Sequence, residues 1–179
     1  MAQERSALSP LHGKPDLPIS LSRGRGTKLI RLQLLGILDH RDVALRAVSA
    51  ACKLVTPGPH ESAWQEFHAQ VVSAVGEAFN NVALHGYAGR SDGRLELRIE
   101  TKHGRIRIEL RDWGQSFDPN AVRAPDLDTL PESGLGFFIM QSFMDLAYRP
   151  GRSGRPNLLT LSKVLDESST RIREAEKAT

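Results

Sequence analysis

Two stretches of strict alternation, RLELRIE at 94–100 and RIRIELRD at 105–112, place the firmest constraint on how this chain of 179 residues can fold. In each, up to Leu110 in the second, an apolar residue stands at every second position with a charged one between, which is the period of a strand. The turn residues His103 and Gly104 separate the two runs, so they are expected to pair as a hairpin. A third alternating run begins at Thr27 and sets Leu29, Arg31 and Gln33 on one side against Ile30, Leu32 and Leu34 on the other. Two last strands are expected around Ala147–Arg149 and Leu158–Val164.

Helical spacing occupies the remaining periodic stretches. Between Asp39 and Leu54 the residues Val43, Ala44, Ala47, Val48 and Ala51 recur three and four apart, with Asp39 or Asp42 able to cap the start. PGPH breaks the chain, and from Ser62 to His85 the spacing resumes through Phe67, Val71, Val75, Ala78 and Val82 as the best-marked helix. The run GLGFFIMQSFMDL reads as a helix opened by glycines, whose Phe137, Phe138, Ile139, Met140, Phe143 and Met144 belong to the core. Trp113 to Ser133 has three prolines, three aspartates and no period, long for a connection in a small domain, and so is a candidate lid. Residues 1–26 carry three prolines and several serines and read as a flexible extension. The domain is then expected over 27–165, with a charged tail over 166–179.

Composition narrows the function. At 40% hydrophobic and 25% charged residues, the chain suits one globular domain. The formal charge of +3 arises largely from Arg23, Arg25, Lys28, Arg31 and the 149–155 loop, not from a dense basic stripe with aromatics, so direct nucleic-acid binding is not expected. The lone cysteine, Cys52, cannot form an internal disulfide and reads as a small buried residue in a reducing cytosol. No run approaches the roughly 20 apolar residues of a membrane span. MAQERSALSP has no apolar signal core, and a cytoplasmic location is expected.

Three separate segments carry chemistry. In EAFNNVALHGY, Glu77 and Asn81 lie four apart and share one helix face, where an amide oxygen can hold a hard cation and a carboxylate can deprotonate a hydroxyl. Asp112 ends a strand just before Trp113 and Gly114, placed to accept a hydrogen bond in a cleft. Ser133, Gly134, Leu135 and Gly136 open a helix whose free N–H groups attract phosphate.

With these residues the chain resembles the anti-sigma-factor serine kinases of the GHKL superfamily, from about Thr27 to Val164. EAFNNVALHGY resembles the N box, RDWGQSFDP the first glycine box, and ESGLGFFIMQSFMD the corresponding stretch of the sporulation anti-sigma kinases. The resemblance implies an α/β two-layer sandwich, a mixed or antiparallel sheet covered on one face by helices, with ATP between the layers. It implies that Asn81 binds Mg²⁺ and that Glu77 is the general base toward a serine of a partner. Asp112 and Gly114 would hold adenine, Ser133, Gly134, Leu135 and Gly136 would receive phosphates, and His85 and Gly86 would lie close by. Many relatives place a threonine in the last strand to support the aspartate, and here Asn157 takes that position. The implied partners are a sigma factor or similar regulator, contacted through Arg46, a small STAS-type antagonist, and a second copy in a homodimer. The lid's Asp126, Asp128 and Glu132 oppose only Arg123, so a non-catalytic nucleotide-binding interaction module is the alternative.

Overall fold

The computed structural model describes residues 19–24, 26–55, 61–117 and 135–165. The expected lid from 118 onward, Ser133, Gly134 and the tail lie outside them. Six strands form one antiparallel sheet in the order β1-β2-β3-β4-β6-β5. They are β1 (Ile19–Gly24), β2 (Thr27–Leu35), β3 (Arg94–Lys102), β4 (Arg105–Asp112), β5 (Asp145–Arg149) and β6 (Asn157–Val164). Three helices accompany them: α1 (Arg41–Cys52), α2 (Glu61–Asn80) and α3 (Leu135–Phe143). The expected sandwich is therefore present, with every strand pair antiparallel.

Alternation decides which face is which. Leu95, Leu97 and Ile99 of β3 and Ile106, Ile108 and Leu110 of β4 are all at most 1% exposed, and they join one apolar cluster with Ala44 and Val48 of α1, Val71, Val75 and Phe79 of α2 and Met140 of α3. Each such aliphatic side chain contributes about 1.5–3 kcal/mol by leaving water. On the other face the intervening charges answer one another. Glu109 accepts from Arg107 and Arg111, each at 3.1 Å, and Arg98 pairs with Glu100. A register slip of one residue would exchange these two faces, so the pattern pins the pairing.

Three expectations change. Ile19–Gly24, expected within a flexible extension, pairs with β2 from Ile19↔Leu32 to Gly24↔Thr27 and forms an edge strand. Its alternation covers few residues among prolines and serines, and a long, well-formed neighbour supplies its partner. Neither Asp39 nor Asp42 caps α1. His40 occupies the N-cap position without a side-chain cap bond, and Asp42 instead accepts from Arg46 one turn on. The long helix expected over 62–85 is α-helical only to Asn80, and Asn81–Gly86 continue as a π turn that closes with Tyr87 N–H donating to the Val82 carbonyl at 2.9 Å. Cys52 is fully buried as expected, and burial pushes its thiol up to about 12, away from nucleophilic chemistry.

Candidate functional site

The π turn matters because of where it lies. Widening the last helical turn turns Asn81, Leu84, His85 and Gly86 toward the end of β4, and single π turns recur where a helix must present side chains to a site. Between this turn, the end of β4 and α3 lies a cavity of about 560 Å³. Its wall includes Asn81, His85, Gly86, Asp112 and Gly136 from the expected set. Gln115, Ser116, Phe117, Phe137, Met140, Tyr148 and Leu159 complete much of the rest. Its size and mixture of apolar walls with a few polar groups suit a small organic ligand.

Asp112 is the best-held polar group there. It is 6% exposed, and its Oδ1 accepts from Gly114 N–H at 2.9 Å and from Asn157 Nδ2 at 2.8 Å, while no donor meets Oδ2 among the described residues. Burial raises its pKa above the ordinary carboxylate value, and the two hydrogen bonds only partly offset that. Asn157 is itself 3% exposed and uses its whole amide. Its Oδ1 accepts from Ser116 Oγ at 2.6 Å and Gly151 N–H at 2.7 Å, and its Nδ2 reaches the Gly114 carbonyl at 3.2 Å. Two N–H or O–H donors at one end and a carboxylate at the other leave the amide only one favourable orientation. Asn157, expected to touch the cofactor, instead stands behind Asp112, outside the cavity wall, and donates to its Oδ1.

The backbone around Asp112 is as tightly fitted. A Cβ on Gly114 would lie 2.4 Å from the Gly86 carbonyl oxygen, and Gln115 N–H donates to that same oxygen at 2.7 Å. Only glycine allows the strand end and the π turn to touch in this way. Glu77, the expected base, is half-buried against the start of α3 and is not itself part of the cavity wall. A Cβ on Gly136 would sit 2.6 Å from Glu77 Oε2, so Gly136 leaves space for the carboxylate. Glu77, Asn81 and His85 make no side-chain hydrogen bond among the described residues. Leu135 and Gly114 adjoin the cavity without being part of its wall, and Arg46 is on the exposed surface of α1.

A family model for the histidine kinase-like ATPase domain matches residues 39–163, which takes in the π turn, the Asp112 strand end and α3 together. The chain belongs to the histidine kinase-like ATPase domain family. Among relatives of this ATPase family, an anti-sigma F factor of Clostridium botulinum (strain Eklund 17B / Type B) is 35% identical over 42% of this chain and 55% of its own length. One from Clostridium beijerinckii is 31% identical over 52% of this chain and 68% of its own, and one from Bacillus thuringiensis is 30% identical over 56% and 71%. The match to the first of these thus spans about half of that relative's length. The resemblance to anti-sigma factors read from the sequence is borne out by these relatives. A solved histidine kinase domain from the Erythrobacter litoralis EL346 blue-light activated kinase aligns at a TM-score of 0.46 and 19% identity, over 75% of this chain and 64% of that one, too distant to carry an argument.

The site residues that sequence reasoning missed are Gln115, Ser116, Phe117 and Tyr148 on the wall and Tyr87 behind it. Tyr148 had a signal: it sits two residues from Leu146 on β5, where alternation turns both toward the core. Ser116 and Phe117 had none, because they fall in the aperiodic stretch after Gly114. Among the described residues no group of three or more His, Cys, Asp or Glu side chains is placed to hold a metal on its own, and no helix is long and apolar enough to cross a membrane.

Proposed function

We propose that this chain is a partner-switching protein kinase: it binds Mg-ATP in the cavity, holds a sigma factor or similar regulator, and phosphorylates a serine of a small antagonist protein. The observation that carries the reading is the polarity of the cavity. The wall presents a buried carboxylate, Asp112, whose Oδ2 meets no donor among the described residues, and it also carries Asn81 and Gly136 of the first turn of α3, with Glu77 just outside the wall against Gly136. An adenine amino group has its acceptor in Asp112, and the triphosphate has helix N–H groups at the start of α3.

The residues fit Mg-ATP without a dedicated metal cage. Mg²⁺ characteristically takes one or two protein oxygens and completes its shell with phosphates and water, and Asn81 Oδ1 is the protein oxygen available here. When bound, Mg-ATP supplies the phosphoryl group and neutralises its developing charge. The protein's own contribution is then positional. Asp112 and Asn157 fix the base end, the start of α3 faces the phosphates, and Glu77 Oε2 takes the proton of the partner's serine hydroxyl as the oxygen attacks. The names of the relatives support a sigma factor as the regulator, with Arg46 on α1 at its contact surface and the strands β1 and β5, the sheet edges among the described residues, as the surfaces for homodimer pairing.

The test is transfer of radiolabelled γ-phosphate from ATP to a cognate antagonist by the purified chain. Label on an antagonist serine supports the reading. Tight partner and ATP binding with no label would instead assign the chain to the non-catalytic module class.

A further inference from the structure

Beyond the residues of the cavity wall, we infer that Tyr87 is a positioning residue that sets base discrimination in the nucleotide site, an inference that rests on the nucleotide reading above. Tyr87 follows the π turn directly and is 3% exposed. Its ring lies in a slot cleared by two glycines: a Cβ on Gly36 would come within 2.5 Å of a ring carbon, and one on Gly93 within 2.4 Å. These two glycines face each other just beyond the last β2–β3 pair, Leu35↔Arg94, with Gly36 N–H donating to the Gly93 carbonyl at 2.7 Å.

The slot delivers the hydroxyl to one particular place. The β3–β4 ladder ends at Leu95↔Asp112, and the next pair in that register is Arg94 with Trp113. Those two backbones do not bond to each other. Trp113 N–H donates to the Tyr87 hydroxyl at 2.9 Å, and the hydroxyl donates to the Arg94 carbonyl. A side-chain oxygen has entered where a backbone bond would have continued the ladder, and it separates β4 from β3 one residue after Asp112. The chain then turns to the π turn, where Gly114 packs on the Gly86 carbonyl and Gln115 bonds to it. Arg94 lies over the Trp113 ring at 4.7 Å.

Asp112 is therefore held from two sides. Asn157 fixes its side chain, and the Tyr87 wedge fixes the backbone from which that side chain projects. Tyr87 is not part of the cavity wall, so it acts on a bound base only through the placement of Asp112 and Gly114. Removal of its hydroxyl leaves a buried donor and a buried acceptor that can recover each other only by closing the ladder, which draws Asp112 toward β3.

The experiment compares ATP, GTP and inorganic tripolyphosphate affinities of the full-length wild type with those of Tyr87→Phe, with thermal melting as the control for folding. The wild type is expected to prefer ATP over GTP, and Tyr87→Phe to reduce that ratio about tenfold while tripolyphosphate affinity stays the same, the effect of one poorly replaced buried hydrogen bond. A lower melting temperature with an unchanged ATP-to-GTP ratio would make Tyr87 merely structural and overturn the inference. Should Tyr87→Phe not fold, Gly93→Ala, which keeps the hydroxyl but displaces the ring, decides in the same way. A wild type that binds ATP without preference over GTP overturns this inference alone. A wild type that binds no nucleotide overturns the nucleotide reading as well.

Discussion

The two ends of the cavity are built on opposite principles. At the strand end Asp112, Asn157, Ser116, Gly151 and Gly114 satisfy one another in a network whose two central residues, Asp112 and Asn157, are under 7% exposed, with bonds between 2.6 and 3.2 Å. At the helix end Glu77, Asn81 and His85 have no side-chain partner among the described residues, and the first is given room by a glycine. A recognition group gains from being fixed before its ligand arrives, since ordering it on binding would cost affinity. Groups that meet phosphate, metal and an incoming hydroxyl must exchange water for those ligands, and a prior protein partner would compete with them. On the proposed reading, the fixed end would read the nucleotide and the unpartnered end would do the chemistry.

The largest expected effect lies at the loosely held end. Glu77→Gln keeps the shape against Gly136 but removes the base, so phosphate transfer to the antagonist should fall by about 10² to 10⁴ while Mg-ATP and partner binding persist. Transfer at the wild-type rate in a radiolabel assay would place the base elsewhere and remove the chemical half of the contrast.

At the networked end Asp112→Asn should weaken ATP by more than about tenfold, because the amide can keep its oxygen toward Gly114 N–H and Asn157 Nδ2 only by turning its NH₂ to where Oδ2 accepts. The same substitution should leave the melting temperature unchanged or raise it, since it discharges a buried carboxylate. Calorimetry and thermal melting on one preparation check both halves. Weaker binding together with a large loss of stability would mean that Asp112 is structural.

A smaller effect follows from the raised pKa of Asp112. For a carboxyl whose folded pKa exceeds its unfolded one, the stabilising contribution is present below the unfolded value and lost as pH rises through the folded value. Asp112→Asn should remove that loss, so the wild type and the variant should converge in stability on the acid side and separate just above the ordinary carboxylate range. ATP affinity should respond in the other sense, falling on acidification at a higher pH than an ordinary carboxylate would give. Parallel stability curves across that range would count against a titrating Asp112.

Arg46→Ala should have the smallest effect on the protein itself. Its pair with Asp42 is 2.7 Å long but both side chains are more than 70% exposed, and exposed i, i+4 pairs contribute about 0.3–0.5 kcal/mol. Unchanged ATP affinity and melting temperature with looser regulator binding is the expected result, measured by titration with the purified partner. A loss of ATP binding would connect α1 to the cavity, which the present geometry does not.

By itself, the sequence determined most of the elements and singled out five residues of the cavity wall: Asn81, His85, Gly86, Asp112 and Gly136. Alternation at 94–100 and 105–112 specified the central hairpin and its buried face, because that pattern depends only on neighbours a few residues away. Tertiary structure alone decided the rest. The pairing of Ile19–Gly24 needed β2 beside it, and the π turn at 81–86 follows where the helix end meets the sheet. Asn157 reaches Asp112 across 45 positions of sequence and Tyr87 reaches Trp113 across 26. Such contacts follow from strand register and from where a ladder stops, and no local period encodes either.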